Sequence, residues 1–138
     1  MSLDRDLSAC ERLAIALMQH IDHQRFREAA ALFSSDGIWF RHGTELVGPE
    51  EIEATIADRP ETQQERHILT NIFVEQKKSG EYTASTYVTI YRTNTMKSNL
   101  PATVTGPIAM GEFNFRFCKT SDGLRIAHLE AEMIFQIR

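Results

Sequence analysis

Imidazole is the side chain best suited to taking a proton near neutral pH, and the chain carries five histidines. One of them has an unusual setting. The stretch Glu65 to Glu75, ERHILTNIFVE, reads as a long strand. With a side-chain period of two, His67, Leu69, Asn71 and Phe73 share one face. Ile68, Thr70, Ile72 and Val74 share the other. A histidine and an asparagine among apolar neighbours suit the wall of a ligand cavity. They suit a satisfied structural pair as well. In a cavity, His67 would act as a base, removing a proton next to a carbonyl or a leaving group.

Other chemistries lack their signatures. His20, His23, His42 and His128 are scattered, with no HxH, HxxxH or HExxH spacing, so no metal site is expected. There is no Gly-rich phosphate loop, no Gly-x-Ser-x-Gly and no context for a nucleophilic cysteine, and no cofactor is expected. Cys10 and Cys118 are too few and too far apart for a disulfide scaffold, and are expected as reduced thiols of a cytoplasmic protein.

The 138 residues suggest a single domain spanning 1–138. The net charge of −4 gives no pull toward nucleic acid or an anionic membrane. No apolar run approaches the roughly 20 residues of a membrane span. The opening Met1-Ser2-Leu3-Asp4-Arg5-Asp6 is polar, without a signal-peptide core.

The elements that must position His67 follow from periodicity. Leu7, Cys10, Leu13, Ala14, Leu17, Met18 and Ile21 recur at three and four, which predicts a helix over 4–23. A second helix is expected over 25–34, ended by Ser34-Ser35-Asp36-Gly37. Residues 37–42 read as a short aromatic strand, with 46–47 as its return. Pro49, Glu50 and Glu51 open a third helix, which Arg59-Pro60 ends. Four long strands follow over about 65–77, 81–94, 103–120 and 124–137, with Pro107 marking an edge or bulge. Helices first and antiparallel strands after predict an α+β domain. Strands this long curl, and a curled sheet closed by helices makes a cone with a pocket. Trp39, Phe40, Met110 and Ile134 are candidate wall residues beside Asn71. Phe113, Phe115 and Phe117 alternate opposite Asn114, and lie either under the helices or on an outer face that would pair two copies.

Three phrases carry a family resemblance: Asp22-x3-Phe26-x5-Leu32-Phe33-x2-Asp36-Gly37, Leu46-x-Gly48-x3-Ile52, and Arg66-His67-x3-Asn71. Over nearly its whole length the chain resembles the SnoaL-like branch of the NTF2-like superfamily. The resemblance implies an NTF2-like (cystatin-like) cone, a strongly curved antiparallel sheet closed by three N-terminal helices. It also implies a homodimer through the outer sheet face. Scytalone dehydratase and hexachlorocyclohexane dehydrochlorinase belong to this branch. Matched to them, Asp22 takes the place of the catalytic acid and His67 that of the general base. Asn114 matches an asparagine of the dehydratase. Ile21 and Arg92 stand where that enzyme has a tyrosine and a second histidine, so a different substrate is implied. Arg92 or Asn114 would stabilise negative charge on that substrate. The expected function is a cofactor-independent lyase or isomerase acting on a small, largely apolar molecule. The alternatives are a ligand-binding protein without turnover, or a subunit like the small subunit of aromatic-ring dioxygenases.

Overall fold

The apolar stripe of the first helix decides how the chain closes. In the computed structural model, which describes residues 3–137, helix α1 (Leu3–Asp22) buries Cys10, Ala14, Leu17, Met18 and Ile21 along one side. Met1 and Ser2 of the polar opening lie outside the described residues, as does Arg138. Then come α2 (Phe26–Ala30), β1 (Phe33–Arg41), β2 (Thr44–Val47), α3 (Pro49–Ala57), β3 (Gln63–Lys78) and β4 (Glu81–Asn94). A short 3-10 turn (Lys97–Asn99), β5 (Ala109–Thr120) and β6 (Gly123–Gln136) complete the chain.

The six strands form one curved, unclosed sheet in the order β2-β1-β6-β5-β4-β3. Neighbours are antiparallel except β1 and β6, which run parallel. Helix α1 lies across β3, β4 and β6. Helix α2 packs on α1 and α3, and α3 also touches β1 and β2. Between helices and sheet sit Tyr82, Val88 and Ile90 of β4, Phe113, Phe115 and Phe117 of β5, and Ile126 and Leu129 of β6. The phenylalanine stripe therefore lies under the helices, with Phe115 and Phe117 stacked at 5.5 Å. Each fully buried side chain of this size contributes about 1.5–3 kcal/mol through water release.

Three local departures from the sequence reading have physical causes. Helix α2 ends at Ala30, and β1 begins at Phe33, because Phe33 pairs with Ile126 and the Leu32 carbonyl accepts the Ile126 N–H at 2.8 Å. Strand β5 begins at Ala109, after Gly106-Pro107, since proline has no N–H for the ladder. The third departure flips faces. Thr70 pairs with Tyr87 and Phe73 with Ser85, so Asn71 and Ile72 oppose Thr86 alone. Asn71 takes the left-handed conformation at φ 56°, and the Thr86 hydroxyl donates to the Thr70 carbonyl at 2.9 Å. Beyond this bulge the inward residues become Ile72 and Val74, while Phe73 is 61% exposed. A like irregularity in β6 leaves Ile134 between the Met110–Phe135 and Gly111–Met133 pairs.

Away from His67, a polar staple ties α1 to the sheet. The buried Tyr82 hydroxyl donates to Asp6 Oδ2 at 2.5 Å, and Lys119 Nζ lies 3.0 Å from the same oxygen. The Tyr82 hydrogen bond and then that of Lys119 hold the Asp6 carboxyl below its ordinary value of 3.8. Burial, with the Asp6 charge nearby, pushes the Cys10 thiol up to about 12, so it is inert. Tyr82→Phe is expected to lower the thermal midpoint at neutral pH. A depressed carboxylate stabilises fully above its unfolded value and loses that contribution as pH falls through the folded one. The gap between wild type and Tyr82→Phe should therefore close in acid, which thermal melts across a pH series would measure.

Candidate active site

Strand β3 is an edge strand, so N–H groups on its free side have no strand partner. The last residue of α1 supplies one. Asp22 Oδ2 accepts the His67 backbone N–H at 2.9 Å, and Oδ1 lies 2.6 Å from His67 Nδ1. Both side chains are largely buried. A carboxylate beside Nδ1 takes its proton as a hydrogen bond, which leaves a lone pair on Nε2.

His67 lines a cavity of about 50 Å³ with Ile21, Trp39, Arg41, Arg59, Glu65, Ile90, Phe113, Ala131 and Met133. Glu65 precedes His67 by two residues on the same face, with Oε1 at 3.8 Å from Nε2. The Glu65 carboxylate is buried and doubly paired. Arg59 Nη1 donates to Oε1 at 2.8 Å, and Arg92 binds Oε2 through Nε at 2.7 Å and through Nη2. Burial alone would raise the Glu65 carboxyl. His67 when protonated, the Arg92 hydrogen bond and the Arg92 and Arg59 charges outweigh burial and hold it below its ordinary value. Arg59 is further fixed by the Ile56 carbonyl at 2.6 Å and by the Phe26 ring beneath it.

Asp22, Glu65 and His67 offer ligand atoms within 4.8 Å of one another, the spacing of a metal site. Their donor chemistry argues against one. The Glu65 oxygens are taken by two guanidinium groups, and the Asp22 oxygens by the ring and backbone N–H of His67. A cation there would also face three arginines. A second, open cleft of about 220 Å³ reaches the dyad between α1 and β3, lined by Ile15, Met18, Gln19, Asp22, His67 and Leu69. A larger concavity, about 560 Å³, lies between the start of α1 and the β5–β6 hairpin, away from the dyad.

Residues 5–130 match the SnoaL-like domain family. The chain belongs to that family. No curated protein matches it. Solved structures share its fold. An NTF2-like protein with a cystatin-like fold from Novosphingobium aromaticivorans has a TM-score of 0.81 at 18% identity, covering 96% of this chain and 84% of its own. A putative aromatic ring hydroxylase from the same organism has 0.79 at 18%, covering 100% and 95%. Aln2 from a Streptomyces species has 0.74 at 25%, covering 90% and 87%.

Within this SnoaL-like cone, the residues singled out from sequence divide sharply. His67 and Trp39 both line the cavity, and Asp22 meets His67 from the neighbouring cleft. Arg92 does not line the cavity but pairs with Glu65, which does; its side chain is 43% exposed and lines a separate cleft with Arg66 and Tyr91. The others lie elsewhere. Asn71 is in the bulge, exposed, beyond the point where the strand changes face. Asn114 is exposed on the outer face, opposite Phe113 and Phe115, and Met110 has the same parity. Phe40 is half-buried on the opposite face of β1 from Trp39. Ile134 sits exposed in the β6 irregularity, so Met133 lines the cavity instead. Gly111 makes room for it: a Cβ there would lie 2.5 Å from the Glu132 carbonyl and 2.7 Å from Met133 Cε.

Glu65, Arg59 and Arg41 were not singled out from sequence. Two signals were present: Glu65 is two residues from His67, and Arg41 two from Trp39. Glu65→Gln, which keeps the shape and removes the charge between Arg59 and Arg92, should cost about 2–3 kcal/mol of stability. Urea unfolding would show a lower midpoint at unchanged slope. The Glu65 carboxyl is held low, so this difference is full above its ordinary value of 4.5 and closes as pH falls below it.

Proposed function

We propose that the site is a cofactor-independent proton-transfer centre of the lyase or isomerase kind. The observation that carries this reading is the 2.6 Å contact between His67 Nδ1 and Asp22 Oδ1, with Nε2 left toward a cavity. Nε2 takes a proton from a carbon next to a carbonyl or leaving group. The electron pair left on carbon moves onto the carbonyl oxygen or expels the leaving group. Asp22 fixes the tautomer and steadies the imidazolium, which returns its proton to product carbon, leaving group or solvent. Arginine charge at the cavity favours an oxyanion forming beside it.

A second reading, binding without turnover, is favoured by the cavity volume. About 50 Å³ is well below the several hundred of most small-molecule sites. Deuterium uptake from heavy water separates the two. A panel of hydroxyketones, halogenated compounds and steroid-like ketones would be followed by NMR. Turnover of one panel member, lost by about a hundredfold or more in folded His67→Ala, is expected. Unchanged exchange in that variant moves the base elsewhere, and no exchange with any compound favours the binding reading.

We also infer a homodimer through the outer sheet face. Ile68, Thr89, Met110 and Phe135 align there in one row across β3, β4, β5 and β6. Ile68 and Phe135 are exposed, as is Tyr87 nearby. Sedimentation should give twice the chain mass, and Phe135→Glu should shift it toward the monomer. A wild-type monomer at working concentrations would remove this inference.

A further inference from the structure

Around the dyad cavity every carboxylate oxygen is committed, and donors are left over. Its carboxylates are spent: Asp22 on His67, and Glu65 on Arg59 and Arg92. Two donors are not. The Arg41 guanidinium lies over the Trp39 ring at 5.5 Å and has no hydrogen bond or ion pair among the described residues. The Trp39 indole N–H is buried with no hydrogen-bond partner. Both residues line the cavity beside His67.

Charge gives the same answer as hydrogen bonding. Arg41, Arg59 and Arg92 stand against Glu65 and Asp22, so with His67 neutral one positive charge is uncompensated. Arg41 is the guanidinium without a carboxylate. It does not arrive there by chance of a mobile side chain: Arg41 is the last residue of β1, directly before the tight His42-Gly43 turn, whose two residues have φ 51° and 77°. The hairpin anchors its backbone on both sides, and the Trp39 ring supports the guanidinium plane. Burial, the neighbouring Arg59 charge and that of Arg92 lower the Arg41 value against the pull of Glu65, and a bound anion would counter the repulsion among the arginines. An unpaired buried N–H and a half-buried guanidinium are costly to leave unmatched, so the ligand that belongs here brings acceptors and one negative charge.

We propose that Arg41, with the Trp39 indole N–H, is the receptor for a carboxylate, and that the site takes small organic monocarboxylates. The planar guanidinium fork matches a carboxylate in a way a single donor does not. About 50 Å³ accommodates such a head group and little else, which places the rest of the molecule toward the cavity mouth. Anchoring the carboxylate at Arg41 presents an adjoining carbon to the side of the cavity that His67 lines. Arg41 is thus a specificity-determining residue. The proposal rests on reading this cavity as the substrate site, but it does not require turnover.

Trp39 is the only tryptophan of the chain, so its indole N–H resonance and its fluorescence report on this cavity alone. The full chain would be titrated with acetate and propionate, and in parallel with acetamide and propionamide, which match them in shape without the charge. Saturable movement of the indole resonance with the acids, and a response to the amides weaker by about tenfold or more, is expected. Arg41→Gln should weaken carboxylate binding by a similar factor, and Arg41→Lys should restore part of it. Equal response to acid and amide in the wild type overturns the proposal without any variant. So does the absence of a saturable response to either acid, or an undiminished one in folded Arg41→Gln. A protein that binds carboxylates through Arg41 yet exchanges no proton sinks the proton-transfer reading and leaves this one standing. Proton exchange that needs His67 while Arg41→Gln binds carboxylates as well as wild type does the reverse.

Discussion

The contact on which the rest depends is the one Asp22 makes with His67. An acid at a helix C-terminus sits at the negative end of the helix dipole, an unfavourable place. It is tolerated because two donors from one residue of β3 meet it, the backbone N–H at 2.9 Å and the ring at 2.6 Å. The first of these satisfies an edge-strand donor and locks α1 in register against the sheet. The second fixes which imidazole nitrogen carries the proton. Fold and chemistry therefore share one carboxylate. The stripe of α1 that seals the concave face also delivers Asp22 to its position, since Leu17, Met18 and Ile21 are buried in the turns immediately before it.

Much of this was legible in the sequence, because helix and strand periods are local. The stripe of α1, the proline start of α3, the β3–β4 and β5–β6 turns and the aromatic strand all declare themselves within a few residues. Asp22 and His67 were legible through their place in a family pattern, and Trp39 as an aromatic of the short strand, without its face. What failed to carry over was facing. Asn71 was read by extending a period of two through a position where the strand has one residue too many. Nothing in the stretch around Asn71 marks that insertion. It appears only when β3 is laid against β4 and Thr86 is found opposite two residues. Met110 and Asn114 show the same limitation in another form. Alternation assigns residues to two faces but does not say which face the helices cover, and on β5 the covered face is that of the phenylalanines.

The charged cluster was hidden for a different reason. Arg41, Arg59 and Glu65 each stand near the end of an element, where a charge ordinarily meets water. Here the curl of the sheet and the short α3 bring three such ends to one place. Buried ion pairs add little stability compared with apolar packing of equal volume, because both charges must leave water. Their value lies in fixed geometry: Glu65 holds Arg59 and Arg92 apart, one from a helix end and one from β4, and keeps both from collapsing onto the imidazole. The arrangement is a frame of matched charges with one member, Arg41, left over.

The cavity volume then acquires a meaning beyond smallness. Selectivity in a site that encloses a whole molecule comes from shape over its full surface. A space of about 50 Å³ encloses a head group only, so recognition must be chemical at the closed end and permissive at the mouth. The lining agrees with that division. Arg41, Trp39, Glu65 and His67 are held by hydrogen bonds, stacking or ion pairs. Met133 lies over a glycine and is 42% exposed, and its unbranched thioether adapts to what passes it. A fixed polar end and a compliant apolar lip would let the proposed proton-transfer centre keep one geometry while accepting ligands of different length.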